Sequence, residues 1–207
     1  MIKYLMLIFS VLSFNVFAQE VKLTAQELKN FKERVEKETA SLNTLRTDFE
    51  QSKHMAFLSN DIQSLGKMYL NADGTLKWEY TSPNVYSVIF KNNTILINDN
   101  GKKSTVSGEQ DMFKKINHLI SGSVSGKLFD DKEFDINYFK SRSNVLVKLI
   151  PNSKTLKKYI SEVILYFPQK DATVSKVKLI EPSGDYTLIT FLNKELNVKI
   201  DPSIFSH

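Results

Sequence analysis

Cysteine is absent from all 207 residues. Its absence excludes disulfides, a thiolate nucleophile, a zinc-thiolate site and a cysteine-borne lipid anchor, so cohesion must come from apolar burial. Histidine is nearly absent. His54, His118 and His207 are the whole supply, no two have metal-ligand spacing, and each is expected to be hydrogen-bonded or solvent-facing. No G-x-S-x-G elbow occurs and no Ser/His/Asp set can be assembled from spacing. The glycine-rich "SGSVSG" at 121–126 lacks the Lys-Ser/Thr of a phosphate loop and follows a helical pattern instead of opening one, so it reads as a hinge. Asp130 and Asp131 are adjacent acids in a polar loop, and Lys154, Lys157 and Lys158 a basic turn; solvation is the expected fate of both. Proline (5) and glycine (7) are scarce, and neither a linker nor an internal repeat is visible.

What is present begins with a leader. "MIKYLMLIFSVLSFNVFAQE" has a positive start at Lys3, an apolar run to Phe17 and small residues at Val16 and Ala18. This pattern predicts a signal peptide over residues 1–18, cleaved after Ala18, and an exported chain. The run is shorter than the ~20 residues a membrane span requires, and no later run is longer. Residues 19–207, about 189 in all, suffice for one domain with a large core. The net charge of +5 falls to +4 once Lys3 leaves with the leader. Export and the lack of a basic stripe interleaved with aromatics argue against nucleic acid.

"LTAQELKNFKERVEKETASL" opens with Thr24 and Glu27 at capping-box spacing and with Leu23 and Leu28 at staple positions. Leu28, Phe31, Val35 and Leu42 then share one face, predicting an amphipathic helix from 24 to about 42. From Leu45 the period changes to two. Strand-like runs follow at 45–56, 64–71, 75–81, 85–91, 94–98 and 102–107, divided by Ala72-Asp73-Gly74, Ser82-Pro83-Asn84, Asn92-Asn93 and Asn100-Gly101. A second helix is predicted where Ser107 and Gln110 repeat the capping spacing and Met112, Phe113, Ile116, Leu119 and Ile120 form a stripe ended by Gly122. Strands resume at 134–140, 144–150, 158–167, 173–181, 185–192 and 196–200. The fold class expected is α+β and mainly β: about eleven or twelve antiparallel strands, with helices covering one face of an open, curved sheet.

"VYSVIF", "VLVKLI" and "YISEVILYF" are apolar on both faces, so both need cover. The residues alone leave two accounts open. Either helices and sheet close a well-filled core, or they enclose a pocket for an apolar ligand.

"LNTLRTDFEQS", with Asp48, Phe49 and Gln51, then "SLGKMYL", "LKWEYTSP", "LIPNSKTLKKYISEVILYF", "VSKVKLIEPSGDYTLITF" and "NVKIDPSIF" stand in the order and approximate spacing of the periplasmic outer-membrane lipoprotein carriers. Over about 21–205 the chain resembles this LolA-like family. The resemblance implies an incomplete, strongly curved antiparallel β-barrel with helices over its open side, a hydrophobic cavity for lipoprotein acyl chains, and no catalysis, cofactor or metal. It implies as partners an inner-membrane ABC transporter that supplies lipoproteins and an outer-membrane acceptor that receives them, with transient membrane-surface contact by a monomer.

Phe49, Trp78 and Pro83 match the family's hallmark positions. The cavity lining expected on this basis comprises Phe31 from the first helix and Phe49, Met68 and Leu70 from the first two strands. It continues with Leu76, Trp78 and Tyr80, then Val88 and Phe90, and is closed by Met112, Phe113, Ile116, Leu119 and Ile120 on a helix hinged at Gly122 and Gly126. One departure is Ala72, where the family pattern has a basic residue six positions before the tryptophan, so no latch role carries over. Another amphiphile, such as a glycolipid or polyene precursor, is the alternative cargo. An envelope sensor or regulatory domain of the same fold is the alternative function.

Overall fold

The computed structural model describes residues 20–92, 94–107 and 133–206. The expected leader, the second helix with Met112 to Ile120, and the Gly122 to Gly126 hinge lie outside the described residues. So do His118, Asp130 and Asp131.

The first helix starts where the sequence says. α1 (Ala25–Thr39) is preceded by Thr24, whose hydroxyl accepts from the Glu27 backbone N–H while the Glu27 carboxylate accepts from the Thr24 N–H at 3.0 Å. Two of the orphan donors at the helix N-terminus are thereby satisfied. The helix ends earlier than expected, at Thr39 instead of about 42. The Thr39 hydroxyl donates back to the Val35 carbonyl at 2.7 Å, and Leu42 reaches the core from the following turn.

Glu27 also accepts from Lys140 on the sheet at 2.5 Å. That bond from Lys140, followed by those from the Thr24 backbone and hydroxyl, pushes the Glu27 carboxyl from its ordinary 4.5 down to about 2. A depressed folded-state pKa stabilises above the unfolded value, and the contribution fades as pH falls from about 4.5 to about 2. Glu27→Gln is therefore expected to lower the unfolding midpoint at pH 7 and to converge on wild type near pH 2 in a pH series of thermal melts. A deficit that is the same at both pH values contradicts this.

Among the described residues twelve strands form one antiparallel sheet: β1 (Val21–Lys22), β2 (Thr44–His54), β3 (Ile62–Asn71), β4 (Leu76–Ser82), β5 (Tyr86–Lys91), β6 (Thr94–Asp99), β7 (Lys102–Ser107), β8 (Phe134–Lys140), β9 (Asn144–Pro151), β10 (Glu162–Pro168), β11 (Lys176–Ile180) and β12 (Tyr186–Leu196). Their order is β1-β8-β9-β10-β11-β12-β2-β3-β4-β5-β6-β7, with β1 and β7 at the two edges and no pairing between them among the described residues, so the sheet is a curved half-barrel and not a closed one. The mainly-β, curved-sheet expectation holds.

Local chemistry sets the hairpins. Asp99 pairs with Lys102 across Asn100-Gly101, both with positive φ (48° and 92°), which is the two-residue turn whose twist suits a hairpin. Three expectations need correction. The 158–167 run becomes strand only at Glu162, because Leu156–Lys158 form a 3-10 turn that buries Leu156. The 173–181 run shortens to β11, since Asp171 accepts from the Thr173 N–H and ties 171–173 into a turn. The 185–192 and 196–200 runs join into β12, with an irregularity between Leu192 and Glu195, and residues 197–200 are not strand.

α1 lies on one face of the sheet, termed inner below. Phe31 packs edge-on against Phe167 (5.1 Å between centroids) and Tyr138 (6.3 Å), and Val35 is fully buried beside them. A continuous apolar cluster runs from there across β8 to β12 and β2 to β4. On the outer face Tyr69 and Ile89 are covered by Phe205, from the C-terminal turn Pro202–Phe205. Among the described residues no helix is long and apolar enough to cross a membrane.

Candidate functional site

Alternation along β2 sends Leu45, Thr47, Phe49 and Gln51 to the inner face. Register extends this set across the sheet: Phe49 opposes Phe191 on one side and Gly66 on the other, Met68 opposes Trp78, Trp78 opposes Val88, and Leu76 opposes Phe90. The structure thus brings the described members of the expected lining onto one face. Phe49, Met68, Leu70, Leu76 and Trp78 are buried in the main cluster, Tyr80 and Phe90 pack on it partly buried, and Val88 is buried beside Trp78. Phe31 belongs to the same cluster, where its ring meets Tyr138 on β8 and Phe167 on β10.

An aromatic group organises the middle of the face. Phe49 stacks on Trp78 at 4.3 Å, Tyr80 meets Phe49 edge-on at 5.3 Å, and Phe191 meets Trp78 edge-on at 6.2 Å. Gly66 makes this possible. A Cβ there would lie 2.3 Å from Phe49 Cζ and 2.2 Å from the Glu79 carbonyl oxygen, so the ring of Phe49 occupies the space a side chain would need. Gly66 escaped the sequence reading, although an isolated glycine inside a strand pattern marks close approach.

The rest of the "TDFEQ" segment is accounted for locally. Where β12 departs from regular pairing, Asn193 adopts positive φ (51°) and donates to the Asp48 carboxylate at 2.9 Å, while buried Thr47 donates to the Leu192 carbonyl at 2.7 Å. Asp48 and Thr47 thereby hold the irregular end of β12 that borders Phe191. Gln51 accepts from the Tyr80 hydroxyl at 2.9 Å. Burial pushes the Tyr80 phenol above its ordinary pKa, which keeps it a neutral donor. The Ser82–Pro83 peptide is cis and sits in the turn between β4 and β5.

Among the described residues the polar side chains around His54 form a small local network. His54 Nδ1 and Ser52 Oγ both bond to Asp61, at 2.9 and 2.8 Å, and the imidazole stacks on Tyr186 at 4.8 Å. The serine thus engages the carboxylate and not the imidazole, unlike the relay that activates a nucleophile. The expectation of a hydrogen-bonded His54 is met, and the bonds from His54 and Ser52 lower the Asp61 pKa. Lys154, Lys157 and Lys158 are exposed around the 3-10 turn. Among the described residues no group of three His, Asp or Glu side chains is placed to hold a metal ion.

Residues 40–207 match the family model described as "Outer membrane lipoprotein carrier protein LolA". No curated protein matches the chain. Among solved structures, an uncharacterized conserved protein from Thermus thermophilus superposes with a TM-score of 0.52 at 8% identity, over 86% of this chain and 91% of that one. A chain of the Pseudomonas aeruginosa MucA/MucB complex gives 0.50 at 10% identity over 86% of this chain and 61% of that one. The LolA superfamily protein NE2245 from Nitrosomonas europaea gives 0.46 at 10% identity, over 89% and 98%. At such identities the likeness is one of fold.

Proposed function

Because the chain belongs to the LolA family, the outer membrane lipoprotein carrier proteins, we propose that it is a periplasmic, non-enzymatic carrier that takes up lipoprotein acyl chains against the inner face of its sheet and delivers them toward the outer membrane. The observation that carries this reading is the continuous apolar face, from Leu45 and Phe49 through Met68 to Trp78, on a sheet that among the described residues does not close into a barrel. An open sheet has faces that can separate from their cover without breaking a ladder. A closed barrel does not.

The energetics favour such an arrangement. Each methylene left in water costs about 0.8 kcal/mol, so three chains of about 14 methylenes each would face a penalty on the order of 30 kcal/mol. A carrier must hide most of that surface and still release it. Phe49 and Trp78 offer large apolar area, and the thioether of Met68 adapts to a flexible guest. The leader predicted over residues 1–18 supports export.

Incubating the mature protein with spheroplasts is expected to release lipoproteins into the supernatant in a soluble complex with it. Lipoproteins that stay in the membrane fraction at all protein concentrations would sink the proposal.

A further inference from the structure

Across β2 to β4 the inner face changes character along its strands. It is apolar from Leu45, Leu70 and Leu76 as far as the Phe49–Trp78 stack. One step further along β2 and β4, about 7 Å at strand rise, the side chains are Gln51 and Tyr80. Gln51 is flanked by Ser64 on β3 and by buried Ile189 on β12, and Tyr80 by Gly66 on β3 and Tyr86 on β5. Gln51 and Tyr80 are both partly buried. The Tyr80 hydroxyl donates to Gln51 Oε1 at 2.9 Å, which fixes the amide plane and leaves Nε2, with its two N–H groups, without a protein partner among the described residues. The Nε2 group is not fully enclosed, so solvent or a ligand acceptor can reach it at the border of the dry face.

We propose that Gln51 and Tyr80 form a polar subsite that receives an ester carbonyl at the head of an acylglycerol-type ligand, with the Gln51 Nε2–H donating to the carbonyl oxygen. The proposal rests on the carrier reading and adds the ligand class to it. An acyl ester is the point at which an amphiphile turns from apolar to polar, and Gln51 stands at the same transition on the protein. Tyr80 is a positioning residue here, because its hydroxyl holds the amide with Oε1 turned away from the ligand. The same carbonyl chemistry is offered by the acylated glyceryl group of a lipopeptide and by a phospholipid.

The test compares ester with ether. The mature protein is titrated calorimetrically with a dihexanoylglyceryl lipopeptide, with dihexanoyl phosphatidylcholine, and with the dihexyl ether counterpart of each, all below their micelle concentrations. Wild type is expected to bind an ester about fivefold more tightly than its ether, the effect of one hydrogen bond. Whichever ester shows the preference, lipopeptide or phospholipid, names the source. Gln51→Leu is expected to erase the preference while still binding the ether. Tyr80→Phe, which frees the amide to rotate, is expected to reduce the preference to about twofold, and it serves in place of Gln51→Leu should that variant fail to fold.

A wild type that binds ester and ether equally overturns the subsite and leaves the carrier reading intact. So does a Gln51→Leu or Tyr80→Phe protein that keeps the full preference. A wild type that binds neither overturns the carrier reading and the subsite with it.

Discussion

Gly66→Ala is expected to destabilise the protein by about 3 kcal/mol, the upper end of the usual overpacking cost. The new methyl would lie 2.2 Å from the Glu79 carbonyl oxygen and within 2.6 Å of two atoms of the Phe49 ring. Neither neighbour can step aside at small cost. The oxygen belongs to the backbone of β4, next to the point where Leu65 and Gly66 change register against it, so relief requires the β3–β4 pairing to shift. The ring is held by Trp78 on one side and by Tyr80 at its edge. Urea unfolding should show a lowered midpoint with an unchanged slope. A loss below about 0.5 kcal/mol, the range of neutral surface changes, would mean that Gly66 is not the cradle of Phe49.

A double-mutant cycle separates the two clashes. Phe49→Ala alone removes a buried ring and is expected to cost on the order of 3–5 kcal/mol. In that background Gly66→Ala no longer meets the ring but still meets the carbonyl, so the second substitution should cost about 1 kcal/mol less than it does in wild type. Equal costs in both backgrounds would place the whole strain on the β4 backbone.

Much of the architecture was legible because it is local. The capping box at Thr24 and Glu27, the Asn100-Gly101 turn and the change of period at Leu45 are chemical statements about a few neighbouring residues, and each matches the structure. What was not legible depends on distant partners. β1 is two residues long, too short to carry a period, and exists because Val21 and Lys22 pair with Lys140 and Phe139. β12 runs on past Leu192 because Asn193 accepts a positive φ and Asp48 and Thr47, nearly 150 residues away, satisfy the groups the irregularity exposes. The 158–167 run begins at the end of a 3-10 turn, since the sequence does not say that Leu156 is drawn inward. The site follows the same rule. The family resemblance named Leu76, Trp78 and Tyr80 together, but the contributions of Phe191 and Gly66 and the Gln51–Tyr80 bond arise from cross-strand register.

Whether the inner face is a ligand surface or a closed core turns on Trp78, the only tryptophan in the chain. It is 7% exposed, stacked on Phe49 and edge-on to Phe191, so its emission reports on this aromatic group and on no other place in the protein. A guest entering the face must replace or reorient at least one of these neighbours, because interiors are close-packed and a change of contact is felt by the adjoining side chains. The decisive measurement is Trp78 emission during titration of the mature protein with a triacylated lipopeptide, run in parallel with calorimetry that establishes saturation. The carrier account predicts a saturable change in emission wavelength and intensity that tracks the calorimetric isotherm. A spectrum that stays unmoved at saturation would make Trp78 part of an ordinary sealed core and contradict the account.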